Sequence, residues 1–380
     1  MRILWYNWRD IKNPDAGGAE VFTHEVCKRL VKQDGVDSVT LFTASYKDAL
    51  PEEKVDNVRI VRRGNKYSVY SEAEKYYQQN KDYFDIVVDE INTKPFGTTS
   101  YVRDKPIVAL IHQLAREFWF YETRFPINVL GYYFLENYWL GKYRNTPTIT
   151  VSKSTQDDLF NLGFRHVTVV PEGLSFSALG GLPEKEVKPT VLFVGRLKKA
   201  KKPDDALRAF KVIRDELPDA RLWIVGDGYM KKKLEAMVRE LYPGSPDAVT
   251  LYGKQSHIEK LELMSRAHVL MVPGVREGWG LVVTEANARG TPAVAYDVPG
   301  LRDSVIHGMT GILVRRGDYV GMAIESIDIL KDHIKRKTLT KNALVNAKYF
   351  DWDVTSARIA KVLDGSMKMY KNTAGEQLVT

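Results

Sequence analysis

Short apolar runs alternate with helix-spaced patterns twice along this 380-residue chain, and a stretch with neither period separates the two series. Such alternation marks βα units feeding parallel sheets, so the chain is predicted to fold as two doubly wound α/β domains. The first series predicts strands at Arg2–Tyr6, Val39–Phe42, Asp85–Val88, Ile107–Ile111, Thr148–Val151 and Val167–Val170, with a helix over Ala19–Val31. The second predicts strands at Val191–Val194, Leu222–Val225, Val249–Tyr252, Val269–Val272 and Ala293–Ala295, with helices near 204–217, 230–241, 258–267 and 281–289. Residues 1–172 and 190–353 are thus the expected domains, and the Gly- and Pro-broken 173–189 the expected linker. The 44% hydrophobic content is enough for two cores. Beyond them, Ile359, Val362, Leu363 and Met367 predict a one-sided helix over 354–370, with the last ten residues patternless and frayed.

A net charge of +8 suits anionic partners without choosing among nucleotides, lipid surfaces and nucleic acid. Cys27 is the sole cysteine, the N-terminus lacks a signal-peptide core, and no apolar run approaches the ~20 residues of a membrane span. The expected location is cytoplasmic, with any membrane contact peripheral at its inner face.

In open α/β sheets, ligands sit beyond the carboxyl ends of the strands. Four groups are predicted there. In Glu277-Gly278-Trp279-Gly280-Leu281, which leads to Glu285, the glycines allow close backbone approach, and the helix beginning at Leu281 offers unpaired N–H groups to an anion. Glu277 precedes that anion site and Glu285 lies ~6 Å along the helix from its start. Two carboxylates flanking a diphosphate match the layout of a nucleotide sugar, although either alone is an ordinary helix acid. Gly195-Arg196-Leu197 with Lys201 could supply fixed cations for a leaving diphosphate; surrounded by Lys198, Lys199 and Lys202, it also reads as a solvated basic loop. Gly17 and Gly18 would turn N–H groups toward a phosphate, or merely form a turn. His112 could bond a sugar hydroxyl or leaving phosphate, or be a core histidine satisfied by a backbone carbonyl.

With these elements in place, the chain resembles the retaining glycosyltransferase family 4, of GT-B architecture. The resemblance rests on Val194-Gly-Arg-Leu197, Val225-Gly-Asp-Gly228, Glu277 to Glu285, Ala288-Arg-Gly-Thr-Pro292 and Gly308-Met-Thr-Gly311 in order. It implies two Rossmann-like domains facing across a cleft, with the final helix returned to the first domain. It implies a nucleotide diphosphate sugar donor, a hexose transferred with retention to a hydroxyl acceptor, and neither metal nor cofactor. By resemblance, Arg196 and Lys201 hold the diphosphate, Glu277 the sugar and Glu285 the ribose, with Gly17 and Gly18 near the phosphates and His112 near the sugar. Three positions depart from the pattern: Lys202 for a common glycine, Trp279 for phenylalanine and Glu172 for asparagine.

A nicotinamide enzyme is disfavoured because Lys231 stands where Gly226-Asp-Gly228 should meet a third glycine. Asp351-Trp-Asp353 is the one Asp-x-Asp pair, and its place at the start of the last helix suits capping better than a metal. A catalytically silent nucleotide-sugar binder is the alternative of another class; no nucleic-acid module is present. The least ordinary stretch is Phe118–Tyr143, in which eleven of 26 residues are aromatic. Set among Arg116, Arg124, Lys142 and Arg144, its rings, Trp119 and Phe120 included, could meet an anionic bilayer holding a lipid-linked acceptor, or fill a core.

Overall fold

A computed structural model describes residues 1–245 and 247–377. It contains two compact units. The first comprises Met1–Arg116, Phe125–Ser175 and the chain from Asp351 onward; the second comprises Glu117–Arg124 and Phe176–Phe350.

The first unit is built on eight strands: β1 (Arg2–Tyr6), β2 (Ser38–Thr43), β3 (Glu52–Val55), β4 (Val58–Arg62), β5 (Ile86–Glu90), β6 (Ile107–Ile111), β7 (Thr148–Thr150) and β8 (Val167–Val169). They lie in the order β3-β4-β2-β1-β5-β6-β7-β8, parallel except for the β3–β4 hairpin. Connections leave β1 to one side and β5 to the other, so the winding reverses between these two strands. At such a reversal the loops diverge and open a crevice at the strand ends.

The second unit repeats the design with β9 (Thr190–Val194), β10 (Arg221–Val225), β11 (Val249–Gly253), β12 (Val269–Val272), β13 (Ala293–Tyr296) and β14 (Gly311–Val314). Their order is β11-β10-β9-β12-β13-β14, all parallel, with the reversal between β9 and β12. Leu192, Ile224, Leu270 and Val294 are fully buried in its core, as expected of parallel strands covered on both faces.

All eleven predicted strands are present, within one or two residues. The hairpin β3–β4 and strand β14 were not predicted, nor were the helices Tyr319–Lys331 and His333–Ala347. Strand β3 reads Glu-Glu-Lys-Val, which carries almost no apolar signal; it is an edge strand that charged residues protect from further pairing. The last helix, Trp352–Gln377, outruns the predicted 354–370. Most of the tail expected to fray is helical, since extending an existing helix adds a hydrogen bond per residue without a new nucleus. Residues 378–380 lie outside the described residues.

That helix is seated in the first unit. Trp352 is buried edge-on to Phe22 of the helix Gly18–Leu30, Ile359 and Leu363 are fully buried, and Thr355 donates to the Pro171 carbonyl at 2.8 Å. Asp351 caps its start by accepting the Asp353 N–H at 2.6 Å, and Asp353 pairs with Arg29. Both acids of the Asp-x-Asp pair therefore have structural partners, as the capping interpretation requires.

Candidate functional site

Both winding reversals carry the residues singled out by sequence. In the second unit, Gly195 and Arg196 follow β9 and the Glu277 loop follows β12, the two strands that flank the reversal. The loop that follows β10 holds the Arg196 loop in shape. Gly195 N–H donates to Val225 O at 3.0 Å, and Leu197 N–H to Asp227 O at 2.9 Å. This closeness explains Gly226: at φ +137° it lies so near that a Cβ would stand 1.9 Å from Gly195 O. The Gly-Asp-Gly motif thus lets one backbone rest on another. Arg196 itself is exposed, with no ion pair among the described residues.

Lys201 closes a short 3-10 turn, Lys199–Lys201, and its ammonium pairs with Glu277. The predicted diphosphate cation and the predicted sugar carboxylate are therefore direct neighbours. Lys202, at the common glycine position, is left-handed at φ 52°, ψ 46°. Glycine is favoured there because an L side chain costs ~1–2 kcal/mol in that conformation. Lys202 partly offsets the cost by pairing with Asp205 at 3.1 Å.

The Glu277 loop is fixed from beneath. Glu277 N–H donates to Pro299 O at 3.0 Å, and Gly300 sits at φ +83° where a Cβ would lie 2.2 Å from Glu277 O. Gly300→Ala is expected to destabilise the protein by ~2 kcal/mol or more, through left-handed strain plus a backbone clash, and to displace Glu277. A thermal melt alongside a turnover assay checks it; an unchanged melting temperature would contradict this packing. Trp279 is buried against Phe350, ring centroids 5.3 Å apart, with its indole Nε1 unbonded. Gly280 caps the helix Leu281–Ala288, which carries Glu285. Both Glu285 oxygens accept from Lys260 Nζ at 2.7 Å. Lys260 was missed by sequence reasoning, since a lysine on a solvent-exposed helix pattern carries no signal of its partner.

The segment Glu117–Arg124 belongs to this unit. Glu122 accepts from Ala200 N–H at 3.1 Å and from the Tyr229 hydroxyl at 3.0 Å, while Glu117 accepts from buried Arg276 at 2.8 Å. The Arg276 guanidinium holds the Glu117 carboxyl below the usual range against the opposing effect of burial. Of the two rings singled out for a bilayer, Trp119 is only 9% exposed and so is not available to it, whereas Phe120 is 44% exposed. Adjacent acids seated on the cationic loops draw this turn inward.

In the first unit, Gly17 ends the loop after β1 and Gly18 opens the helix Gly18–Leu30. Asp10 anchors that loop through a bidentate pair with Arg62, at 2.7 and 2.9 Å and wholly buried. Breaking such a pair costs about 3–5 kcal/mol because the remaining charge stays buried. Gly17 caps the helix Gly18–Leu30, and its N–H already donates to Glu20 at 2.6 Å. His112 follows β6 and is buried. The alternative of a backbone carbonyl partner does not hold: Nε2 lies 3.1 Å from Glu90 Oε1, and Nδ1 lies 3.5 Å from Glu172 Oε1. Neither glutamate was legible as a partner from sequence, because each is remote from His112 along the chain.

Among the described residues no group of three or more His, Cys, Asp or Glu could hold a metal ion. The second unit thus offers cations and N–H groups at its reversal, and the first unit a carboxylate-bound histidine at the end of β6, one strand from its own reversal.

Known proteins resemble both halves of the chain. A family model described as "Glycosyl transferases group 1" matches residues 180–345, and one described as "Glycosyltransferase Family 4" matches residues 16–177. A D-inositol 3-phosphate glycosyltransferase of Thermobispora bispora is 30% identical over 234 residues, covering 57% of this chain and 54% of that protein. The chain spans about half the length of the curated relatives it matches. Among solved structures, the sucrose-phosphate synthase from Thermosynechococcus elongatus superposes with a TM-score of 0.78 at 21% identity, over 96% of this chain and 98% of that one. HepE of Anabaena, solved with UDP and glucose, gives 0.73 at 18% identity, over 96% and 100%. At such identities the likeness establishes the fold, which is GT-B.

Proposed function

Since the chain belongs to glycosyltransferase family 4, we propose that it moves a hexose from a nucleotide diphosphate sugar to a hydroxyl acceptor, with retention and without an obligatory metal. The observation that carries this reading is the Lys201–Glu277 pair, with Glu277 three residues before Gly280, the N-cap of the helix that bears Glu285. A diphosphate needs the cation and helix N–H groups; a hexose needs a carboxylate to accept from its hydroxyls. Those groups are contiguous here. On departure, the C–O bond to the diphosphate breaks, Arg196 and Lys201 stabilise the charge that develops, and the leaving phosphate takes the acceptor hydroxyl proton as the new C–O bond forms on the same face.

Release of nucleotide diphosphate by purified protein, screened over several donors and read by mass, tests the reading. UDP-glucose is the first donor to try, given the ligands of HepE. Binding of nucleotide without release, with every acceptor tried, would favour the catalytically silent alternative.

A lipid-linked acceptor is supported by a second observation. The helical run Ile127–Leu130, Gly131–Leu135, Glu136–Gly141 is one-sided: Gly131, Glu136 and Leu140 are buried, whereas Ile127, Leu130, Phe134 and Tyr138 are exposed, Phe134 by 64%. Phe125 beside it is 80% exposed, and Lys142 Nζ stands 4.7 Å from the Tyr138 ring centroid. Aromatic rings flanked by exposed Lys142 and Arg144 suit an anionic headgroup layer. No helix of the described residues is long and apolar enough to cross a membrane, so this contact would be peripheral, at the inner face for a cytoplasmic protein. Wild type is expected to sediment with anionic liposomes at low salt, and Phe134→Ser/Tyr138→Ser to lose most of that binding while remaining folded. Wild type left in the supernatant would point to a soluble acceptor.

A further inference from the structure

Glu90 and Glu172 approach His112 from its two ring nitrogens, and the three side chains are almost wholly buried. Glu90 ends β5, His112 follows the adjacent β6, and Glu172 follows β8, so three strand ends converge on one ring. Glu90 cannot turn away. Its Oε1 accepts from Asn7 Nδ2 at 2.9 Å as well as from His112, and its Oε2 accepts from Trp5 Nε1 at 2.7 Å and from the Thr23 hydroxyl. The Phe22 ring meets His112 edge-on with centroids 4.9 Å apart, which blocks rotation of the imidazole. Thr155 donates to the His112 carbonyl at 3.3 Å; of the ring nitrogens, Nε2 is hydrogen-bonded to Glu90, while Nδ1 has no hydrogen bond and faces Glu172 across 3.5 Å as an ion pair.

A neutral imidazole has one N–H and one acceptor lone pair, and the lone pair would here point at a carboxylate. Only the imidazolium presents a donor to each acid. We propose that Glu172 is a positioning residue which, opposite Glu90, holds His112 as an imidazolium and so bars it from acting as the base toward the acceptor. This rests on the reading above that His112 lies by the transferred sugar. In that setting the ring is an orienting group whose proton does not leave, and the acceptor proton goes to the departing phosphate.

The electrostatics agree with the geometry. Burial alone would depress the ring, but Glu172 and then Glu90 overcome it and push it up to about 10. The sign follows: this raised value stabilises the fold fully below the ordinary histidine range near ~6.5, and the contribution is lost as pH climbs through about 10. Cys27 also lies near this cluster, its buried thiol pushed up by burial and by Glu90.

The test is a pH titration of the His112 ring by NMR, assigned by its loss in His112→Gln, in wild type and in Glu172→Gln, with kcat/KM recorded alongside. Wild type is expected to show no His112 titration from about pH 5.5 to 8.5, and Glu172→Gln to bring the titration into that window. In the variant kcat/KM should then fall about tenfold per pH unit above the new midpoint. Wild-type titration near neutrality overturns the proposal outright, and needs no variant to be read. A variant ring that still fails to titrate overturns the part assigned to Glu172. If Glu172→Gln does not fold, Glu172→Asn serves in its place. Titration as expected with an unaffected kcat/KM profile upholds the charge assignment and refutes instead a place for His112 in the reaction.

Discussion

Glu277→Ala abolishes sugar transfer while leaving affinity for the nucleotide diphosphate nearly unchanged; that is the result expected if its carboxylate serves the hexose alone. The substitution removes the acceptor for the sugar hydroxyls and, with it, the partner of Lys201. Freed from that pair, the lysine is more available to an anion, so binding of the bare nucleotide should hold or improve. A loss of several orders of magnitude in turnover is the scale expected when orientation of the reacting sugar is lost. Glu285→Ala is the control: its carboxylate, bonded by Lys260, belongs to the ribose end, and its removal should weaken nucleotide binding. Calorimetry with nucleotide diphosphate and a turnover assay on both variants decide the matter. Equal losses of nucleotide affinity would mean that the two ends have been assigned wrongly.

Arg196→Ala and Lys201→Ala should each slow transfer by ~100-fold or more, the scale for removing one preorganised group that meets developing charge. The two are not equivalent. Arg196 is exposed and without an ion pair among the described residues, so its loss should leave stability untouched. Lys201 is paired with Glu277, so its loss also frees a partly buried carboxylate beside the reaction centre and should be the more damaging. Chelation should change little in either case. Strict dependence of wild-type activity on a divalent ion would overturn this picture of side chains in place of a metal.

Strands such as Val191–Val194 were legible because parallel strands covered on both faces must be continuously apolar, and runs of that kind are visible without knowledge of their neighbours. Strand β3, Glu-Glu-Lys-Val, was not legible, because an exposed edge is selected for charge. The site divides in the same way. Glu277, Gly280 and Glu285 share one loop and helix, so their relation is written locally. Lys260 on Glu285, Gly300 beneath Glu277, and the two acids on His112 are meetings of distant segments, for which one sequence carries no record. Lys202 lies between these cases: the departure from glycine was plain, but its left-handed backbone supplies the reason. The aromatic stretch was recognised as unusual but treated as one surface. Its first turn, with Trp119, is folded into the second unit, where Glu117 pairs with Arg276 and Glu122 accepts from Ala200 N–H and the Tyr229 hydroxyl.

The helix Trp352–Gln377 makes the first unit discontinuous along the chain. On a ribosome, residues 176–350 are all available before the segment that buries Trp352, Ile359 and Leu363 has emerged. The usual vectorial order, in which the N-terminal body is finished first, is therefore inverted. The sheet β1–β8 must wait with the Phe22 face of its first helix uncovered until the second body is already complete. A gene cut after residue 175 would encode a first unit without its closing helix, so any exchange of that unit between relatives requires junctions near 175 and 351, and two more around Glu117–Arg124 if that turn is to stay with the second unit.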